Sequence, residues 1–444
     1  MAATFDLVIR GGTVVNHSGV WVGDIGVSGG RIARLGDVPA SAVGEVFDAR
    51  GLHVLPGVID TQVHFREPGA EYKEDLATGS RAAVMGGVTA VFEMPNTDPP
   101  TTSAEALADK IARARNGMFC DFAFFVGATA ENIDDVPDLE RLEGSAGIKV
   151  FMGSSTGSLL VDDEPTLARI LAKLSRRASF HSEDEARLRE RAGLRVDGDA
   201  ASHPIWRDEI AALQSTERLL RLARAAGKRV HVLHVSTAGE LPLLEANKDI
   251  TTVEVTPHHL TLSADDYARL GTKLQMNPPV REAHHRKALW DALGQGVIDI
   301  LGSDHAPHTL EEKAKPYPAS PSGMPGVQTL VPVMLDHVNA GRLSMERFVD
   351  MTSHGPARVF GIACKGRIAA GYDADLTIVD MKAERTIEDG WIESRCGWTP
   401  YAGRVVKGWP VATIVRGHFA MREGQIAAPA HGAPVSFTES LSHR

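Results

Sequence analysis

Between residues 57 and 360 the chain repeats one pattern: a short apolar run of strand length, then a segment whose apolar residues recur every three and four positions. Eight runs have strand character, at 58–64, 88–94, 121–126, 147–151, 178–181, 229–235, 251–255 and 298–302. Intervening stretches at 105–115, 167–176 and 217–226 carry the spacing of amphipathic helices. Strands that alternate with helices build parallel sheets, and right-handed crossovers leave few ways to close eight of them. The pattern predicts an α/β fold, a (β/α)8 TIM-type barrel, with active side chains at the C-terminal ends of its strands.

The chain ends differ in texture from this middle. Residues 5–55 are short Val/Ile/Leu runs broken by Gly11-Gly12, Gly29-Gly30 and Gly51, and residues 365–427 repeat the texture. Such runs signal hairpins and meanders. Neither half has enough strands to bury a core alone, so a small β-sandwich domain built from both termini is expected. The division is 1–56 for its first half, 57–362 for the barrel and 363–444 for its second half. A chain of 444 residues has room for both domains.

A formal charge of −10 disfavours a nucleic-acid surface, which needs clustered Lys and Arg, and points to a small-molecule substrate. No stretch approaches the ~18 apolar residues of a membrane span, and the N-terminus lacks the basic and apolar regions of a secretion signal. A cytoplasmic protein is expected, with Cys120, Cys364 and Cys396 as free thiols, since three cannot all pair.

Five titratable residues fall at or near the ends of predicted strands: His64, Lys149, His181, His234 and Asp304. A lone histidine is usually a surface or satisfied core residue. A barrel gathers its strand ends around one mouth, however, and five such residues there form a metal-ligand set. His231, three positions before His234, reads as structural. Gln62 lies two residues before His64 and so on the same strand face, where a second histidine would be the usual partner. A carboxamide offers a metal only a weak, neutral oxygen, so Gln62 bears on how many metals bind.

The motifs His64-Phe65-Arg66-Glu67-Pro68-Gly69, Met94-Pro95-Asn96-Thr97, His234-Val235-Ser236-Thr237, Gln275-Met276-Asn277-Pro278-Pro279-Val280-Arg281 and Gly302-Ser303-Asp304-His305-Ala306-Pro307-His308 occur in order. Together they resemble the dihydroorotase family of the amidohydrolase superfamily, in its longer, class I-like branch. The resemblance runs nearly end to end. It implies reversible cyclisation of N-carbamoyl-L-aspartate to L-dihydroorotate, and one or two Zn2+ ions. One metal would take His64, Lys149 and Asp304, with Gln62 in place of the usual first histidine; the second would take Lys149, His181 and His234. Lys149 would have to be carboxylated, because a bare ammonium cannot ligate. Asp304 would be the catalytic base and then acid. Arg66, Asn96, Asn277 and His308 would bind substrate, and Arg66 separates this family from the similar allantoinases and hydantoinases. Loops 153–158 and 308–326 would cover the site. A homodimer is the expected assembly. Two alternatives remain: a related cyclic amidohydrolase of allantoinase or hydantoinase type, which Arg66 and Asn96 argue against, and a catalytically impaired structural partner of aspartate transcarbamoylase, which Gln62 favours.

Overall fold

A computed structural model of the chain describes residues 5–39, 43–115, 117–154 and 159–439. The N-terminal strands are β1 (Phe5–Asn16), β2 (Gly19–Ser28), β3 (Arg31–Leu35), β4 (Val43–Asp48) and β5 (His53–Pro56). Eight parallel strands follow in sequence order: β6 (Val58–Val63), β7 (Val88–Glu93), β8 (Asp121–Gly127), β9 (Ser145–Phe151), β10 (Ala178–His181), β11 (Val230–Val232), β12 (Thr251–Val255) and β13 (Ile300–Leu301). β6 and the chain just past β13 close the barrel, where the His64 N–H donates to the His305 carbonyl at 2.7 Å. Strands β6 to β10 are buried on both faces, as expected for apolar runs flanked by helices.

The sixth and eighth predicted strands are shorter than expected. β11 ends at Val232, just before His234 adopts a left-handed φ of 37°. The predicted 167–176 helix is Glu164–Lys173, started by Asp163, whose carboxylate accepts from the Thr166 N–H, and by Pro165 in the first turn. The predicted 217–226 helix is the second half of Glu209–Ala226, which Asp208 caps and Gly227 ends in the left-handed region. Buried hydroxyls hid its first half: Ser215 and Thr216 interrupt the apolar stripe, and Thr216 Oγ1 donates to Glu240 Oε1 at 2.8 Å.

The C-terminal strands β14 (Leu376–Thr386), β15 (Val405–Val415), β16 (His418–Arg422) and β17 (Gln425–Ile426) continue the sheet begun at the N-terminus. β14 pairs antiparallel with β5, from Leu376↔Pro56 to Val379↔His53, so the two halves form one nine-stranded sheet in which β4 branches from β1. Its inward residues, among them Ile9, Val14, Val54, Leu376 and Ile414, share one apolar core. The pairing sets the barrel, in chain order, between two adjacent strands of that sheet, and Trp398 from the C-terminal half donates to the His308 carbonyl beside the mouth.

Candidate active site

At the mouth, the ends of β6, β9 and β10 and the residues just past β11 and β13 deliver side chains into one cavity. Gln62, His64, Arg66, Asn96, Lys149, His181, His234, Asn277 and Asp304 all line it. Six described non-glycine residues have positive φ, and three of them are Arg66, His234 and Asp304 at 64°, 37° and 48°. Such backbone costs free energy, and its concentration here marks residues held for a purpose other than stability.

The protonation of the histidines follows from their partners. The Asn96 carbonyl Oδ1 can only accept, so His64 Nδ1 donates to it at 2.8 Å and leaves Nε2 bare. That bare nitrogen faces Asp304 Oδ1 at 3.2 Å. His181 Nε2 donates to Glu183 Oε2 at 2.9 Å, which leaves Nδ1 bare and 3.0 Å from His234 Nε2. Burial lowers the pKa of all three rings, against the opposing pull of Asp304 on His64 and of Glu183 on His181. Neutral imidazoles with lone pairs turned inward are the form that ligates metals.

Glu183 is itself held. Burial alone would raise its carboxyl, but the Arg207 guanidinium and His181 outweigh that and keep it below the usual carboxylate range. Arg207 Nε donates to Glu183 Oε1 at 3.1 Å, and both side chains are buried. Lys149 makes no such ion pair among the described residues: its Nζ sits 4.5 Å over the Phe151 ring, and burial, opposed by Asp304 and Glu254, pulls it down to about 7. Gln62 Oε1 is buried and has no hydrogen-bond partner among the described residues.

These observations fit a divalent cation. A bare imidazole nitrogen of His64 against a carboxylate oxygen, the bare Nδ1 of His181 and an orphaned carboxamide oxygen present electron pairs to the same space, which a cation would reconcile. The donor set and the barrel ends agree with the family comparison: the amidohydrolase family model matches residues 53–420. The chain belongs to the amidohydrolase family.

This amidohydrolase is 41% identical to a dihydroorotase of Halobacterium salinarum over 405 residues, which cover 89% of this chain and 92% of the relative. It is 35% identical to an allantoinase of Rubrobacter xylanophilus over 439 residues, 96% of each chain. Among solved structures, an L-hydantoinase from Arthrobacter aurescens superposes with a TM-score of 0.93 at 30% identity, covering 98% of this chain and 100% of that one.

Arg66 is buried in this amidohydrolase, and burial lowers its pKa to about 10, so it stays charged at neutral pH. Its side-chain contacts among the described residues are the Pro307 carbonyl at 3.3 Å and the His308 ring at 3.4 Å. His308 lies just behind the cavity wall: Nδ1 accepts from Lys73 Nζ at 3.2 Å, and Nε2 donates to the Ser322 carbonyl at 3.0 Å. His231 lies outside the cavity, its Nδ1 2.9 Å from Thr252 Oγ1.

Ser322 and Gly323, from the 308–326 loop, also line the cavity. Gly323 takes a φ of 141° and lies so close to the wall that a Cβ there would sit 2.4 Å from the Ala306 carbonyl oxygen. Of the other predicted loop, 155–158 lies outside the described residues. Sequence reasoning missed Phe151 and Met276 in the lining, and Glu183 and Arg207 behind it. The spacing His181-x-Glu183 could have flagged the glutamate; Arg207 carried no signal.

A second group of potential ligands, Glu209, His284 and His285, lies away from the mouth. His285 Nδ1 already accepts from the Ala238 N–H at 2.9 Å, so its Nε2 carries the proton and faces Glu209 as a donor. That arrangement is a hydrogen bond complete without a metal. No helix among the described residues is long and apolar enough to cross a membrane.

Proposed function

We propose that this amidohydrolase is a zinc-dependent dihydroorotase, interconverting N-carbamoyl-L-aspartate and L-dihydroorotate in de novo pyrimidine synthesis. The observation that carries the reading is Arg66: a buried, charged guanidinium facing the cavity that makes no ion pair among the described residues. A buried cation without a counter-ion is costly unless an anion completes it, and the planar fork matches a carboxylate. Dihydroorotate carries a carboxylate that does not react; hydantoin and allantoin carry none. Asn96 and Asn277 line the cavity where that carboxylate and the ring edge would sit, and the Pro307 carbonyl holds Arg66 Nε.

His64, Lys149 and Asp304 would hold one zinc and Lys149, His181 and His234 the other. When bound, zinc polarises the amide carbonyl and brings the pKa of a water near ~7. Lys149 enters this set as a carbamate, formed when its uncharged amine adds carbon dioxide and releases a proton. The burial that holds its amine near 7, against the pull of Asp304 and Glu254, keeps that uncharged form available. In the hydrolytic direction Asp304 accepts a proton from the adding water and returns it to the departing ring nitrogen as the C–N bond breaks. The products are a carboxylate and a ureido group, and ring closure retraces the path. Glu183 and Arg207 keep His181 in the tautomer that presents Nδ1.

The rest of the reading is a cytoplasmic homodimer with the barrel at 57–362 between β-domain halves 1–56 and 363–444. The allantoinase and hydantoinase relatives favour a second reading, a cyclic amidase acting on an uncharged ring, and Gln62 favours an impaired partner of aspartate transcarbamoylase. The deciding experiment measures kcat/KM of the zinc-reconstituted protein on L-dihydroorotate, allantoin and hydantoin. Dihydroorotate should lead by orders of magnitude. Preference for an uncharged ring overturns the substrate, and a folded, metal-loaded, inert protein supports the structural partner instead.

A further inference from the structure

On the outside of the barrel, helices Ala283–Gly294 and Leu330–Asn339 and the residue preceding β15 enclose an open cleft of about 660 Å³. It shares no lining residue with the catalytic cavity. Arg286, Arg342 and Arg404 converge on it from three separate elements, around His337 and Trp290. The cleft's other charges cancel: Lys287 Nζ pairs with Asp291 Oδ2 at 2.6 Å. His337 adds no charge, since its Nδ1 accepts from Arg342 Nη1 at 2.7 Å, and burial followed by the Arg342 and Arg404 charges lowers it to about 4.

The three guanidiniums are under-used by the protein. Among the described residues each makes one side-chain hydrogen bond: Arg286 to the Thr261 carbonyl at 3.1 Å, Arg342 to His337, and Arg404 to Asp336 at 3.1 Å. Arg404 Nε is buried with no partner at all. Among the described residues Asp336 is the single carboxylate paired with the trio. On a chain of net charge −10, repulsion disfavours gathering three cations unless an anion draws them together. The volume suits a metabolite-sized ligand, and Trp290 supplies a half-buried indole beside the charges.

We propose that this cleft is a binding site for a small phosphate-bearing molecule, separate from the catalytic site. Terminal phosphate oxygens accept from several guanidiniums at once, which a single carboxylate does less completely. A physical link runs inward: Thr261 ends helix Pro257–Thr261, and within it His259 Nε2 lies 3.2 and 3.1 Å from the carbonyls of Pro278 and Pro279, next to Asn277. Occupancy therefore has a route to the substrate-binding side of the mouth.

The test is calorimetric titration of the full-length zinc-loaded protein, at low ionic strength, with inorganic phosphate, pyrophosphate, adenosine 5′-monophosphate and uridine 5′-monophosphate. One molecule per chain should bind. Affinity should fall roughly 10-fold or more in Arg286→Ala/Arg342→Ala and in Arg404→Gln, with melting temperature and basal turnover unchanged. Binding of pyrophosphate alone would assign the site to inorganic phosphates, and binding of a monophosphate to nucleotides; both support phosphate recognition here. Arg66→Met should leave binding intact. No heat with any of the four probes overturns the proposal, as does binding lost in Arg66→Met but kept in the double variant, which would place the ligand in the barrel mouth.

Discussion

The two sides of the barrel mouth are built on different principles. On the β10–β11 side, His181 is backed by the buried Glu183 and Arg207, so a donor atom is fixed before any ligand arrives. On the β6–β13 side, among the described residues Gln62 Oε1 has no hydrogen-bond partner and Arg66 makes no ion pair, and bare His64 Nε2 faces Asp304. On one side a buried ion pair holds the donor ring; on the other Asn96 fixes only His64, while Gln62 and Arg66 are completed by what binds. The difference implies that substitutions behind β10 act on metal affinity, while those beside β6 act on substrate and on the number of metals held.

The sharpest break of that contrast is Asp304→Asn, which removes the proposed proton carrier; kcat on dihydroorotate should fall on the order of 10³-fold in steady-state assays. Next comes Arg66→Met. Loss of the charge-assisted fork should lower kcat/KM for dihydroorotate about 10²-fold, mainly through KM, and change turnover of a carboxylate-free cyclic imide far less. Equal loss on both substrates would remove Arg66 from recognition. Glu183→Gln should weaken zinc retention roughly 10–100-fold in competition with a chelator, with KM nearly unchanged.

Gln62→His tests the open side directly: metal content by elemental analysis should rise towards two per chain, with a few-fold change in turnover. An unchanged stoichiometry makes Gln62 an idle neighbour. The smallest effect is a pH effect. Lys313 is buried under the covering loop, donates to the Pro321 carbonyl at 2.8 Å, and is held by burial at about 7 against an ordinary 10.5. Between those values the unfolded chain binds a proton that the fold does not, so stability should rise with pH across that window and lose the benefit as pH falls to 7. Lys313→Met should flatten that slope in denaturant midpoints measured from pH 7 to 10.

Much of this was legible from sequence because barrel strands buried on both faces leave unmistakable apolar runs, and because function sits at their ends. Lys149 shows why: a lysine inside Ile148-Lys149-Val150-Phe151 contradicts its surroundings and needs a reason. β13 was less legible. Only Ile300 and Leu301 hold strand geometry, since the neighbouring Asp299 and Gly302 N–H groups reach across to Val253 and Val255 from outside the regular run. Arg207 was not legible at all, because its role is set by a glutamate on another element. The arginine cleft was equally hidden, its three cations being scattered over more than a hundred residues.

The antiparallel pairing of β5 with β14 has a consequence for how the chain is made. The edge of β5 leaves the ribosome with Val54 and Leu55, both wholly buried in the finished protein, and its partner emerges roughly 300 residues later. At about 5–20 residues per second that edge stands open for tens of seconds, while the entire barrel is synthesised. An open apolar edge invites pairing with another chain. Early folding of the barrel onto β6 would bring the two chain ends together, and its speed sets how long the nascent protein is exposed to aggregation.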